Sequence, residues 1–186
     1  MKRAFSITAI AWALAAVCPR MADAQRISEA RAIAENSESV EAAAPCALPS
    51  DPHGIPAALD SAITGPADKD RACMTALLTP DARISLISVN ADGGANRKVL
   101  SLDDWIARTR ARGHILLEEK QLNFRVDRFA DIANLWSLYT LHSDGHAVAR
   151  GINSIQAIKE SGGWRITGIL VQAESAAAPL PEGYLP

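Results

Sequence analysis

Four strand-forming stretches follow one another between Leu116 and Glu174, and they constrain the fold more than any other feature of the chain. The first runs from Leu116 to Asp127. The second is "IANLWSLYTLH" (132–142), closed by the turn "SDG". The third is "HAVARGINSIQAIK" (146–159), closed by "ESGG", and the fourth is "WRITGILVQAE" (164–174). Such closely spaced turns join antiparallel neighbours. Successive strand residues point to opposite faces. In the first stretch one side therefore carries Leu116, Glu118, Lys120, Leu122, Phe124 and Val126, and this side is expected to face the core. Both sides of the later stretches carry apolar residues, so this sheet is expected to be covered on both faces or to pair with a second copy.

Upstream, the pattern is helical. Asp51-Pro52 reads as a helix start, an acidic cap with proline in the first turn. Ile55, Ala58, Leu59, Ala62 and Ile63 then form one apolar stripe, which Gly65-Pro66 ends. Asp68 to Leu78 reads as a second helix with Cys73, Met74, Leu77 and Leu78 inward. "ARISLISV" (82–89) is a strand, and "NADGGANRK" is a loop. Ser101-x-x-Asp104 caps a third helix, whose inner side is Leu102, Trp105, Ile106 and Thr109. Arg108, Arg110 and Arg112 near its end read as a solvated face that complements the helix dipole. The order α-α-β-α-β-β-β-β indicates an α+β roll.

The N-terminus reads differently. Lys2 and Arg3 precede the apolar run "AFSITAIAWALAAV", and Ala22 and Ala24 flank a cleavage point after Ala24. Residues 1–24 are thus expected to be a cleaved signal peptide, giving a periplasmic or secreted protein with no membrane attachment after cleavage. Residues 25–50, rich in Ala, Glu and Ser, read as a tether with a short helix around 27–42. Residues 51–175 form the domain, and 176–186 are a Pro-rich tail. The segment removed carries Lys2, Arg3, Arg20 and Asp23, so the remainder is more acidic than the −2 of the whole chain. That balance argues against a nucleic-acid partner. Outside the signal, Cys46 and Cys73 are an even pair in an exported chain, which suggests a disulfide. The alternative is two separate thiols. Two cysteines without a histidine motif are too few for a closed zinc site, so neither metal nor cofactor is expected.

The segments "ITGPADKDR", "LLTPDARI", "LEEKQ", "IANLWSLYTLH", "ARGINSIQAIKESGGWRI" and "VQAE...PLPEGYLP" resemble the nuclear transport factor 2-like superfamily, in its SnoaL-like and DUF4440-like exported branch. The resemblance covers roughly residues 52–186. It implies a cone-shaped α+β roll, a curved, mostly antiparallel sheet wrapped around three N-terminal helices and an apolar pocket. It also implies a small hydrophobic ligand and a homodimer formed through the sheet.

Against that frame, two carboxylates are candidate acid-base groups: Glu118, on the apolar side of its strand, and Glu174, on one strand face with Trp164, Leu170 and Gln172. A carboxyl buried in a pocket has a raised pKa suited to proton transfer. Arg150 is expected to sit against one of them. Tyr139, Asn153, Gln172, Trp136 and His114 complete the candidate ligand-binding set, with Gly151 as a possible bulge. Asn153 and Gln156 fall on opposite faces. Three functions remain open. One is binding of a small hydrophobic molecule, the second is a cofactor-independent lyase, isomerase or hydrolase with a carboxylate base, and the third is a structural dimerisation module, which a pocket closed by large side chains would favour. A pocket carboxyl with a raised pKa beside a hydrogen-bond donor would favour the second.

Overall fold

Asp51 begins the helical layer: its Oδ1 accepts the His53 N–H at 2.9 Å and caps a 3-10 turn, Pro52–Gly54. The computed structural model describes residues 46–90 and 93–184. The expected signal peptide and the helix around 27–42 lie outside the described residues. Helix α1, Ile55–Ile63, follows the 3-10 turn and buries Ile55, Leu59, Ala62 and Ile63, the expected stripe. Gly65–Pro66 not only end it but form a two-residue strand, β1, paired with Leu116 and Leu117. Helix α2 is short, Ala72–Leu77; Asp70, just before its Arg71 N-cap, accepts the Ala72 N–H at 3.0 Å. Its buried residues are Met74 and Leu77. Cys73 was expected on that inner side but is exposed, and it is bonded to Cys46. The Cα atoms of the pair are 4.9 Å apart.

Strand β2, Leu78–Val89, starts earlier than its sequence suggests. β3, Ala95–Leu100, stands where a loop was expected and hairpins back on β2. Helix α3, Leu102–Arg110, begins at a full capping box, Ser101 and Asp104 each accepting the other's backbone N–H. The four predicted strands are β4 (Leu116–Phe129), β5 (Ile132–Ser143), β6 (His146–Glu160) and β7 (Gly163–Ala173). They join one curved seven-stranded sheet in the order β1-β4-β5-β6-β7-β2-β3, antiparallel except between β2 and β7. Helices on one side and a bent sheet on the other give the expected α+β roll. Its core runs from Ile55 and Leu59 through Met74 and Ile84 to Leu135, Ile155, Trp164 and Ile166.

In the antiparallel strands β4 to β7, three bulges decide which residues face that core. In β4, Asn123 is an extra residue with φ +21°, inserted between Leu122, opposite Leu138, and Phe124, opposite Ser137. Before it the inward residues are Leu117, Glu119 and Gln121, while Leu116 and Leu122 are exposed. Beyond it the parity reverses and Val126 packs on the core. The expectation of one continuous inward even face is therefore corrected. An extra residue turns every later side chain to the other face. In β7, Thr167 plays the same part: Trp164 and Ile166 are fully buried, then Ile169 and Val171 point inward and Leu170 and Gln172 outward. Trp164 does not share a face with Leu170, Gln172 and Glu174. The third bulge falls at Val148, not at Gly151. Gly151 pairs in register with Tyr139 and Ala173, and its lack of a side chain is steric. A Cβ there would lie 2.8 Å from the Ala173 Cα.

The segment before the first turn is part of the packing. Leu48 packs against the core and the Pro49 carbonyl accepts the Trp164 N–H at 2.8 Å. At the other end Leu180 is buried, and its N–H donates to Glu174 Oε1 at 3.2 Å.

Candidate functional site

The first section of β4 is nearly an edge. β1 covers only Leu116 and Leu117, so the outward backbone groups of Glu119 and Gln121 need other partners. Helix α1 supplies them. Thr64 Oγ1 accepts the Glu119 N–H at 3.2 Å, and Asp60 Oδ1 accepts the Gln121 N–H at 2.8 Å. The end of α1 is itself anchored. The buried Arg71 guanidinium donates to the carbonyls of Ala62 and Pro66, at 2.9 and 3.0 Å, and to that of Ile63. A cation on the last carbonyls of a helix is favoured by the helix dipole. These contacts seat α1 against the strand that carries Glu119.

Between α1, α2, α3 and the sheet lies a cavity of about 220 Å³. Its walls are mostly apolar: Leu59 and Ile63 from α1, Met74 from α2, Trp105 from α3, and Ile84, Leu86, Ile169 and Val171 from the sheet. Glu119, Tyr139 and Asn153 form the polar end. They come from β4, β5 and β6, and a chain of side-chain bonds fixes them. Asn153 Nδ2 donates to Gln121 Oε1 at 3.2 Å, and Gln121 Nε2 donates to Glu119 Oε1 at 2.8 Å. Gln121 and Tyr139 face each other across β4 and β5. Asn153 is 3% exposed, yet its Oδ1 has no partner.

Burial, then the nearby Asp60 carboxylate, push the Glu119 carboxyl up to about 7, although hydrogen bonds from Asn153 and Gln121 pull it down. Asp60 is pushed up to about 6, mainly by burial and against the Gln121 N–H bond. Burial and the charge of Glu119 raise Tyr139 to about 12. At neutral pH the site thus holds a carboxyl near its midpoint and a tyrosine that keeps its proton. Glu119 can accept or give a proton, and Tyr139 can donate a hydrogen bond.

The sequence candidates divide among four places. Tyr139 and Asn153 line the cavity. Glu118 does not: it pairs with His142 on the opposite face, because adjacent strand residues point apart. Glu119, one position on, occupies the place expected of it. Trp136, Gln172 and Glu174 gather instead on the outer sheet face, in a hollow of about 240 Å³ that the tail residues Pro179 to Pro181 help to line. There Arg150 and Glu174 form an ion pair, with nearly half of the Arg150 side chain exposed. The pair is present as expected but lies away from the cavity. Arg150 and the Leu180 N–H hold the Glu174 carboxyl below the usual range, the reverse of what a buried base needs. His114 Nδ1 lies 2.8 Å from Asp68 Oδ2, almost fully in solvent. The sequence signal for Glu119 was present in "LEEKQ": of two adjacent glutamates on a half-buried strand, one must face in.

No family model matches the chain, and no curated protein matches it. Solved structures do. A cystatin-like-fold protein of unknown function from Nostoc punctiforme is 13% identical, with a TM-score of 0.50 over 67% of this chain and 89% of that one. The beta subunit of a putative aromatic-ring-hydroxylating dioxygenase from Novosphingobium aromaticivorans is 14% identical, with a TM-score of 0.52 over 69% and 94%. An NTF2-like protein of unknown function from Shewanella baltica is 13% identical, with a TM-score of 0.46 over 67% and 94%. The class defined by fold and site is a pocket-bearing α+β roll. More particularly, the fold is similar to the cystatin-like one of the Nostoc punctiforme protein.

Proposed function

We propose that the domain binds a small, largely apolar molecule in the inner cavity, with the polar group of that molecule toward Glu119, Tyr139 and Asn153. The cavity itself carries this reading: apolar walls on three sides and a few convergent polar groups at one end are the usual build of a small-molecule site. Native mass spectrometry of the protein purified from its own host should reveal a retained small molecule. Leu86→Trp, which fills the cavity, should abolish retention without unfolding the domain. Equal retention in the filled variant would refute the reading.

Glu119 favours a second reading, proton transfer in a cofactor-independent lyase, isomerase or hydrolase. A carboxyl near 7 beside a protonated tyrosine is suited to that task. The base in this reading is Glu119, in place of Glu118 or Glu174. Its test is chemical turnover of the retained molecule, with a rate rising through pH 7 and lost in Glu119→Gln.

Two further features complete the proposal. The chain is exported by its N-terminal segment, in keeping with the Cys46–Cys73 disulfide; no helix among the described residues is long and apolar enough to cross a membrane. Protein recovered from the periplasm or medium should begin at Gln25. The domain also pairs through its outer sheet face, where Trp136 and Leu170 flank Ser154 on neighbouring strands and are 42% and 48% exposed. Sedimentation should give a dimer, and Trp136→Arg a monomer.

A further inference from the structure

We propose that the ligand is a small organic ammonium compound, an apolar body with one protonated nitrogen, bound with that nitrogen against Glu119 and the rings of Trp105 and Tyr139. The proposal rests on the reading that the cavity takes a small molecule, and it names the chemical class.

Charge is the first argument. Glu119 is the one charged residue that lines the cavity among the described residues, and no Lys, Arg or His does. The groups that act on its carboxyl are Asp60, which repels, and the amides of Asn153 and Gln121. The neighbouring cations are committed elsewhere. Arg71 is bound to three carbonyls at the end of α1 and lies 6.0 Å from the Trp105 ring centroid. Lys69 Nζ donates to the Ser61 and Thr64 carbonyls. Lys120 acts on Asp60. Glu119 is half-buried, and a carboxylate withdrawn from water without a counter-ion is costly unless a partner neutralises it. A bound ammonium would be that partner, whereas an anionic ligand would be repelled.

The hydrogen-bonding inventory agrees. Acceptors outnumber donors at the polar end: the Glu119 carboxylate and the buried Asn153 Oδ1, which has no partner, stand against one hydroxyl donor, that of Tyr139. An ammonium is donor-only and matches such a set; a carbonyl or carboxylate ligand would add acceptors to it. Trp105 and Tyr139 line the same space, and a cation gains attraction from the faces of both ring types. The volume limits size. About 220 Å³ equals roughly seven water volumes of about 30 Å³ each, so one ring with a short arm fits.

Linkage gives the pH signature. An ammonium binds the ionised form of Glu119, which rises from about a tenth of molecules at pH 6 to about nine-tenths at pH 8 for a carboxyl at about 7. Amine affinity should therefore rise about tenfold over that range. A neutral ligand bound to the protonated carboxyl should show no rise.

The test uses three near-isosteric probes, benzylamine, benzyl alcohol and benzoate, titrated calorimetrically at pH 6 and 8. We expect benzylamine to bind at least tenfold tighter than benzyl alcohol at pH 8, and benzoate not to bind. Glu119→Gln should reduce benzylamine to the level that the alcohol shows in the same variant. If that variant does not fold, the rise between pH 6 and 8 in the unaltered protein decides the matter. Equal binding of alcohol and amine, or an amine preference that persists in Glu119→Gln, overturns the proposal. If no probe binds but neutral apolar compounds do, the ammonium assignment fails and the small-molecule reading stands. If nothing binds, both fail.

Discussion

Replacing Glu119 by glutamine should flatten the pH dependence of folding stability. The glutamine keeps a carbonyl for the Gln121 Nε2 bond, 2.8 Å in the native protein, and cannot ionise. The native carboxyl sits at about 7, against an ordinary 4.5 in the unfolded chain. Its pKa is raised, so the folded state holds the proton more tightly. The stability this contributes is fully present below pH 4.5 and is lost as pH rises through 7. One pKa unit corresponds to about 1.4 kcal/mol, so the loss between pH 5 and 8 is about 2–3 kcal/mol. Asp60, raised to about 6, has the same sign, so Glu119→Gln should reduce the slope and leave the part due to Asp60. The assay is urea denaturation of both proteins at pH 5, 6, 7 and 8. Native protein should lose stability across the series, and the variant should lose about 2 kcal/mol less. Parallel curves for the two proteins would refute the burial of Glu119 and, with it, the acid-base reading of the cavity.

The Cys46–Cys73 bond closes a loop of sequence separation 27, so Cys46→Ser with Cys73→Ser should destabilise by about 3 kcal/mol in urea melts, an effect that reductant reproduces on the native protein. Gly151→Ala should lower the melting temperature by several degrees, because its methyl group would press on the β7 backbone, whereas Gly183→Ala, with open space around it and no positive φ, should change it far less. Arg150→Ala, made in the monomeric Trp136→Arg variant, should leave the unfolding midpoint almost unmoved, since nearly half of the Arg150 side chain is exposed when the outer face is uncovered; a drop of many degrees there would refute the exposed-pair reading. Ser101→Ala removes the acceptor at the start of α3 and should cost about 1 kcal/mol in the same melts.

Much of the architecture was determined by local chemistry that needs no tertiary partner. The stripe from Ile55 to Ile63, the capping box at Ser101 and Asp104, and the turns "SDG" and "ESGG" each act within a few residues, and each stands where the sequence puts it. The cysteine pair was also legible, because only two cysteines lie beyond the expected signal segment. Facing was decided by tertiary structure. Alternation assigns strand residues to two sides but says nothing of where an extra residue enters, and the bulges at Asn123 and Thr167 reverse the sides midway along β4 and β7. That is why Glu119 rather than Glu118 enters the cavity and why Gln172 lies outside it with Glu174, whereas Trp136 lies outside by plain alternation with the buried Leu135 and Ser137. The short edge strand β1 was likewise invisible. Gly65-Pro66 ends a helix by local rules, and becomes a strand only because β4 presents unpaired backbone groups beside it. The shifted carboxyl has the same origin: a glutamate's pKa is an ordinary one until α1, β5 and β6 close around it and take its water away.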